Sequence, residues 1–325
     1  MERWNVVGVD PRGGPAQRGV GLVENANVSS SSITELGNPA TISIDCLTTR
    51  EIVAVIAAED AQAPAAVAAE GDTIAQLVDV AVERMQRGGR LIYVGAGTSG
   101  RLGVLDAAEC PPTFSTAPGQ VVGLIAGGTA ALTQAIEAIE DKPEEGERDV
   151  AAIAVGPDDV VLGIAASGRT PYVLGALAAA RQRGAFVAGL ACTRPSALSE
   201  VVDLMIAPIV GPEVITGSTR MKAGTATKLV LNTLSTTIMI RLGKTFGNLM
   251  VDLQPMNAKL RRRAVNIVAT VTGLEPDAAQ QVLEQASYEP KTAIVMVLAQ
   301  VDPLEARRRL AASDGHVRPA LENSR

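Results

Sequence analysis

The stretch RLIYVGAGTSG, residues 90–100, decides the fold. An apolar run at 90–94 has the length of a short buried strand. It passes directly into Gly95-Ala96-Gly97-Thr98-Ser99-Gly100, which opens a helix-like stretch reaching about Glu109. Strand, glycine turn and helix in that order are the first half of a βαβ unit. Glycines there let the backbone approach a ligand, and a helix N-terminus offers unpaired N–H groups to an anion.

Outward from this stretch the pattern repeats. Strand-like runs follow at 120–125, 160–165, 185–191 and 204–207, with a helix expected across 130–139 and partly helical connections elsewhere. Residues 222–242 read as one long helix. Strands alternating with helices imply right-handed crossovers and a parallel sheet. The expected class is therefore α/β, a doubly wound parallel sheet flanked by helices. Composition agrees: 47% of residues are apolar but only 2% aromatic, so small aliphatic side chains fill the core, as in helix-covered parallel sheets. Ahead of the sheet, Thr48 to Glu51 has the spacing of a capping box. Helical patterns run through 52–69, where Pro64 is placed to split the helix, and 74–85. Beyond Asn257 come helical patterns at 259–272, 276–287, 290–299 and 303–312, then a tail after Ser313 expected to be loose. Residues 1–32 contain PRGGP and a serine run and show no apolar period. The expected organisation is a flexible extension at 1–32, an α/β domain with N-terminal helices at 33–256, and a small C-terminal helical unit at 257–325.

Composition also excludes. A net charge of −6, one Trp, three Tyr and three Phe leave neither a basic face nor stacking platforms for nucleic acid. Three cysteines (Cys46, Cys110 and Cys192), odd in number and without CxxC spacing, fit reduced thiols. No secretory leader and no uninterrupted apolar run of about 18 residues is visible, so no membrane span and a cytoplasmic location are expected. His316 is the one histidine. A histidine triad or His-rich zinc site within one chain is excluded, and proton transfers fall to carboxylates, lysines or water.

Three loops are candidate binding elements. The first resembles GxGxxG, but a dinucleotide site needs an acid at the end of the second strand. That strand ends Leu124-Ile125-Ala126-Gly127-Gly128, which argues against NAD. The second, Ala166-Ser167-Gly168-Arg169-Thr170, adds hydroxyls to backbone N–H groups and suits a phosphate monoester. The third, Thr216 to Lys222, adds hydroxyls and a cation ahead of the long helix. The second and third also read as plain helix caps. Two such loops at the carboxyl ends of parallel strands lie where open α/β sheets bind ligands. The candidate phosphate-binding residues are Gly97, Thr98, Ser99, Ser167, Gly168, Thr170, Ser218, Thr219 and Lys222.

The blocks VGAGTSGRLGVLDAAECPPTF (94–114), GLIAGG (123–128), GIAASGRTPYV (163–173), GSTRMKAGTATKLVLNTLST (217–236) and GNLMVD (247–252) closely resemble the N-acetylmuramic acid 6-phosphate etherase family. The likeness runs from about Thr34 to the C-terminus. It implies a sugar-isomerase-type domain, a homodimer with no metal or other cofactor, and a phosphosugar substrate. The implied reaction is cleavage of the D-lactyl ether of N-acetylmuramic acid 6-phosphate to N-acetylglucosamine 6-phosphate and D-lactate. The family's first catalytic glutamate falls on Glu109, as proton donor to the ether oxygen. The second falls on Glu140, as base at C2 or activator of water. Two departures stand out: Ala138 replaces a glycine of the family pattern, and Gly37 replaces an arginine found in many members.

The chemistry suits two carboxyls. An aldehyde at C1 acidifies the C2 proton, and the C3 oxygen must be protonated as it leaves, so elimination needs one base and one acid. Chemistry alone does not choose Glu140 over Glu137, three residues earlier. Glu109 stands between Ala107-Ala108 and Cys110-Pro111-Pro112, an apolar setting that favours a perturbed pKa. Glu213 is a reserve base, or a charge at a helix N-terminus. Cys110, lacking a histidine, reads as structural, and His316 as incidental. The competing readings are a non-catalytic phosphosugar sensor, as in the larger glucokinase regulatory protein, and an aldose–ketose isomerase using the same loops.

Overall fold

The computed structural model describes residues 33–136, 138–253 and 258–322; the expected N-terminal extension lies outside them. Three helices precede the sheet: α1 (Thr49–Asp60), α2 (Ala63–Ala68) and α3 (Gly71–Gln86). The capping box forms as the spacing requires. Glu51 N donates to Thr48 Oγ1 at 3.4 Å and Thr48 N to Glu51 Oε2 at 2.8 Å. Pro64 lies in the first turn of α2, so the apolar stretch breaks into two helices. Helix α3 buries Ile74, Leu77, Val78, Ala81, Val82 and Met85, one continuous stripe at helical spacing.

Five parallel strands follow: β1 (Leu91–Gly95), β2 (Val121–Ile125), β3 (Val160–Ile164), β4 (Phe186–Leu190) and β5 (Leu204–Ile206). Their order in the sheet is β2-β1-β3-β4-β5. Helix α4 (Gly97–Phe114) joins β1 to β2, α5 (Pro143–Ala152) lies between β2 and β3, and α6 (Pro171–Gln182) links β3 to β4. The long helix α7 (Lys222–Arg241) follows β5. Side chains alternate between two cores. Leu91, Tyr93, Leu162 and Leu190 pack against α3 and α7, whereas Ile92, Val94, Val161 and Val187 pack against α5 and α6. Each such aliphatic side chain contributes about 1.5–3 kcal/mol through burial.

The helix expected at 130–139 is not formed. A 3₁₀ turn spans Gly128–Leu132 and irregular chain follows. The carbonyls of Leu132 and Gln134 accept from Arg101 of α4, at 3.3 and 3.0 Å, instead of from N–H groups one turn on. Tertiary hydrogen bonds have displaced helical ones.

A short antiparallel pair, β6 (Thr245–Phe246) with β7 (Leu249–Met250), precedes five helices. They are α8 (Ala258–Thr272), α9 (Pro276–Gln285), α10 (Pro290–Ala299), α11 (Pro303–Ala312) and α12 (Val317–Glu322). Prolines open α9, α10 and α11, where the missing N–H costs nothing. A third core holds them, with Leu253, Ile267, Leu283, Ile294 and Leu310 buried. The described part of the chain after Ser313 is not loose: α12 buries Val317 and Ala320 in that core. Among the described residues no single helix is long and apolar enough to cross a membrane.

The strand order carries the functional consequence. The chain leaves β1 toward β2 on one side, then returns to β3 on the other. Connections therefore diverge at the carboxyl ends of β1 and β3 and leave a crevice, the usual ligand position in such sheets.

Candidate functional site

A cavity of about 530 Å³ opens in that crevice. Its floor comes from β1 and β3 and the turns that follow them. Strand β1 ends at Gly95, Ala96 is an extended cap residue, and α4 begins at Gly97. The backbone N–H groups of Gly97, Thr98 and Ser99 thus form the first turn of a helix, where no intrahelical acceptor exists. All three residues line the cavity. The flanking glycines serve close packing: a Cβ on Gly95 would lie 2.7 Å from Gly100 N, and one on Gly100 2.6 Å from Ile125 Cγ1. The GxGxxG-like spacing therefore docks a helix tightly on two strands, with no dinucleotide needed to explain it.

The second loop follows β3. Ser167, Arg169 and Thr170 line the cavity, and Thr170 caps α6 without a side-chain cap bond. Gly168 does not reach the cavity. It is buried at φ +66°, where it turns the chain, and its carbonyl accepts from Leu198 N at 2.8 Å. The third segment contributes Gly217 and Thr219. Ser218 does not line the cavity, and neither does Lys222. Lys222 is 1% exposed and its Nζ is paired with Glu59 of α1. The first N–H groups of α7 are also taken. Lys222 N donates to Glu213 Oε2 at 3.2 Å and Ala223 N to Glu213 Oε1 at 2.9 Å. Glu213, the reserve base, is thus a buried helix cap whose burial pushes its pKa up. This helix start has an internal anion and needs no ligand.

Three acids line the cavity: Glu35, Glu140 and Asp141. Glu140 lies in an exposed turn ahead of α5, not on a helix. Its carbonyl accepts from Tyr172 N at 2.9 Å, which ties the turn to α6. Glu137 lies outside the described residues. Glu35 ends the 3₁₀ turn Ile33–Glu35. The segment is fastened by Ile33 N to Thr193 Oγ1 at 3.3 Å, Asn38 Nδ2 to Pro212 O at 3.3 Å and Thr41 Oγ1 to Val214 O at 2.8 Å. Arg169 Nη2 donates to Glu35 Oε1 at 3.1 Å.

Glu109 lies elsewhere. Twelve residues separate it from Gly97 on one helix, about 18 Å at 1.5 Å per residue. It faces a separate groove of about 220 Å³, with Leu105, Asp106, Lys228 and Asn232. Its sequence neighbours Ala107 and Cys110 point into the core, whereas Glu109 itself is exposed, at a groove also lined by Leu102 and Leu231. The buried acid of this region is Asp106. It accepts from Tyr93 Oη at 2.9 Å, Asn232 Nδ2 at 2.7 Å and Ser235 Oγ at 3.2 Å, and burial raises its pKa. Within one chain the structure does not bring Glu109 and Glu140 together.

Comparison with known proteins supplies the context. Residues 73–181 match the family model described as the glucokinase regulatory protein N-terminal SIS domain, and residues 247–320 match the C-terminal lid domain of glucokinase regulatory protein. A protein of Rhodopirellula baltica named N-acetylmuramic acid 6-phosphate etherase is 54% identical over 284 residues, covering 87% of this chain and 94% of its own. One of the same name from Rubrobacter xylanophilus is 53% identical over 90% of this chain and 97% of its own. A third, from Pectobacterium atrosepticum, is 50% identical over 92% and 98%. The chain belongs to the N-acetylmuramic acid 6-phosphate etherase family.

Etherase membership leaves two side chains without a chemical part. The Cys110 thiol is buried and pushed up to about 12 by that burial, with Asp106 and Glu109 adding to it, so no thiolate nucleophile forms near neutrality. The His316 ring lies between the carbonyls of Ser313 and Arg241, at 3.2 and 3.0 Å, joining the end of α7 to the C-terminal helices. Sequence reasoning missed Glu35, Asp141 and Arg169 of the cavity. Arg169 stood inside the second loop, and Glu35 stands next to Thr34, where the family likeness begins. No local spacing links residues 134 positions apart.

Proposed function

We propose that this chain is a cytoplasmic lyase of amino-sugar recycling that cleaves the D-lactyl ether of N-acetylmuramic acid 6-phosphate. The observation that carries the reading is an acid-rimmed cavity with two hydroxyl-bearing, N–H-rich turns, in a chain half-identical to etherases along most of its length. The 6-phosphate fits the first turn of α4 with the hydroxyls of Thr98, Ser99, Ser167, Thr170 and Thr219. The sugar opens to its aldehyde. Glu140 takes the C2 proton, the C3–O bond breaks as its oxygen is protonated, and D-lactate leaves. Water then adds across C2=C3 of the conjugated aldehyde, returning H to C2 and OH to C3, to give N-acetylglucosamine 6-phosphate. Lys222, internally paired with Glu59, does not line the cavity and takes no part in this scheme.

Glu109 is the acid in this scheme, and about 18 Å of helix separates it from the first turn of its own cavity. A homodimer in which each copy presents Glu109 to the other's cavity resolves the distance. Helix α1 supports such a contact: residues 52–58 are all apolar, yet none of the helix is buried, and Val53 is 61% exposed. The test is lactate release from N-acetylmuramic acid 6-phosphate by wild type, Glu109→Gln and Glu140→Gln. Wild type releases lactate, and each variant loses about 10²–10⁴-fold, the usual contribution of a general acid or base. A folded wild type that binds the sugar phosphate without releasing lactate is a sensor, and the lyase reading falls.

A further inference from the structure

The proposed substrate carries two anionic groups, the 6-phosphate and the carboxylate of the lactyl ether. A phosphosugar isomerase needs one anion receptor in this crevice; cleavage of a lactyl ether needs two. The cavity offers two kinds. One is neutral, made of N–H groups and hydroxyls on the first and second loops. The other is a guanidinium. Among the described residues lining the cavity, Arg169 is the only basic one, against Glu35, Glu140 and Asp141. A ligand carboxylate entering beside three acids is repelled unless a cation meets it. Arg101 lines an adjoining recess, but its Nε and Nη2 are committed to the carbonyls of Leu132 and Gln134.

We infer that Arg169 receives the lactyl carboxylate, and that Glu35 stands in for that carboxylate until the substrate displaces it. The inference rests on the lyase reading above. Arg169 already binds a carboxylate, through one N–H to Glu35 Oε1 at 3.1 Å. The pair is half open to solvent, at 55% and 40% side-chain exposure, so it is weak and readily exchanged. Planar, two-toothed carboxylate binding is the particular aptitude of arginine, and Glu35 uses only one tooth. Both backbones are fastened, Glu35 through the bonds of Ile33, Asn38 and Thr41 and Arg169 through the Gly168 carbonyl. Exchange therefore needs side-chain rotation alone. Arg169 lies between Ser167 and Thr170 on one turn. Phosphate and carboxylate receptors so placed fix the distance between the two anions, which selects a lactyl-bearing sugar over a plain phosphosugar.

The experiment compares KM for N-acetylmuramic acid 6-phosphate with the inhibition constant of N-acetylglucosamine 6-phosphate, which has the phosphate but no lactyl group. Arg169→Met raises KM about 10- to 100-fold, the loss of a charge-assisted hydrogen-bonded pair. It leaves the inhibition constant of the product within about 3-fold, which also shows that the variant is folded. Arg169→Lys, keeping charge without the fork, falls between wild type and Arg169→Met. Glu35→Gln, which frees the guanidinium, lowers KM about 2- to 5-fold. Equal weakening toward both sugars by Arg169→Met assigns the arginine to the phosphate and overturns the inference, as does no weakening toward either. A Glu35→Gln enzyme with a higher KM, or one that no longer turns over, removes Glu35 as a stand-in. Absence of lactate from wild type is a separate outcome and overturns the lyase reading instead.

Discussion

At the scale of the residue, Ala138 is the clearest case of backbone setting chemistry. It adopts φ +68° two positions before Glu140, in the left-handed region that disfavours a Cβ by roughly 1–2 kcal/mol. The family pattern places glycine there. Ala138→Gly is expected to stabilise the fold by about 0.5–1 kcal/mol, since relief of strain exceeds the added freedom of the unfolded chain. A higher urea midpoint at unchanged slope checks it; a lower midpoint means that the turn relaxes around alanine. Glu109 and Glu140 illustrate a different point. Both are exposed acids, and neither is distinguished locally from a solvated surface carboxylate. Position in the fold separates them: one rims the cavity and the other lies down α4.

At the scale of the element, Asp159 fastens the start of the sheet. Its Oδ1 accepts from Arg90 N and Nε at 2.9 and 3.0 Å, and its Oδ2 from Arg90 Nη2 at 2.6 Å and Gly156 N at 2.9 Å. It thereby joins the ends of β1 and β3 that lie opposite the cavity. Burial opposes its ionisation, but the Arg90 guanidinium and the N–H groups outweigh that and hold the carboxyl below its ordinary range. A carboxyl that binds its proton more weakly when folded stabilises the fold above its unfolded pKa, about 3.9. That contribution is lost as pH falls through the folded value. Asp159→Asn is expected to cost about 2–3 kcal/mol at pH 7, less than a fully buried pair because Arg90 is partly exposed. The deficit narrows below about pH 4. Thermal melts of both proteins from pH 7 to pH 3 test this; parallel curves throughout exclude Asp159 as the source of acid sensitivity. The start of α7 shows the opposite use of a carboxylate. Glu213 caps the helix from within, and Lys222 of that segment is buried against Glu59 instead of lining the cavity.

At the scale of the whole molecule, the proposed homodimer is what would carry Glu109 to the other copy's cavity. A two-fold dimer is isologous, so each copy gives Glu109 and receives it. Mixing inactive Glu109→Gln and Glu140→Gln chains then creates one composite site with both glutamates in each mixed dimer. Random pairing is expected to restore about a quarter of the wild-type sites. Lactate release that stays at the level of the separate variants after verified subunit exchange places both acids in one chain and rejects the shared site.

The strands, most of the helices, the capping box, the helix-opening prolines and two of the three loops were legible in the amino-acid order. Each depends on alternation, helical period or a residue's own backbone preference over a few positions. The same locality explains the errors. The expected helix at 130–139 lost its carbonyls to Arg101, and the expected loose tail found a core to bury Val317. No local pattern states which face of α4 Glu109 occupies, that Lys222 turns inward to Glu59, or that Glu35 meets Arg169 from 134 residues away. Those arrangements follow from contacts between distant segments. Chain order determined the sheet and the glycine turns at its carboxyl ends, and only the tertiary structure decided which charged side chains share one cavity.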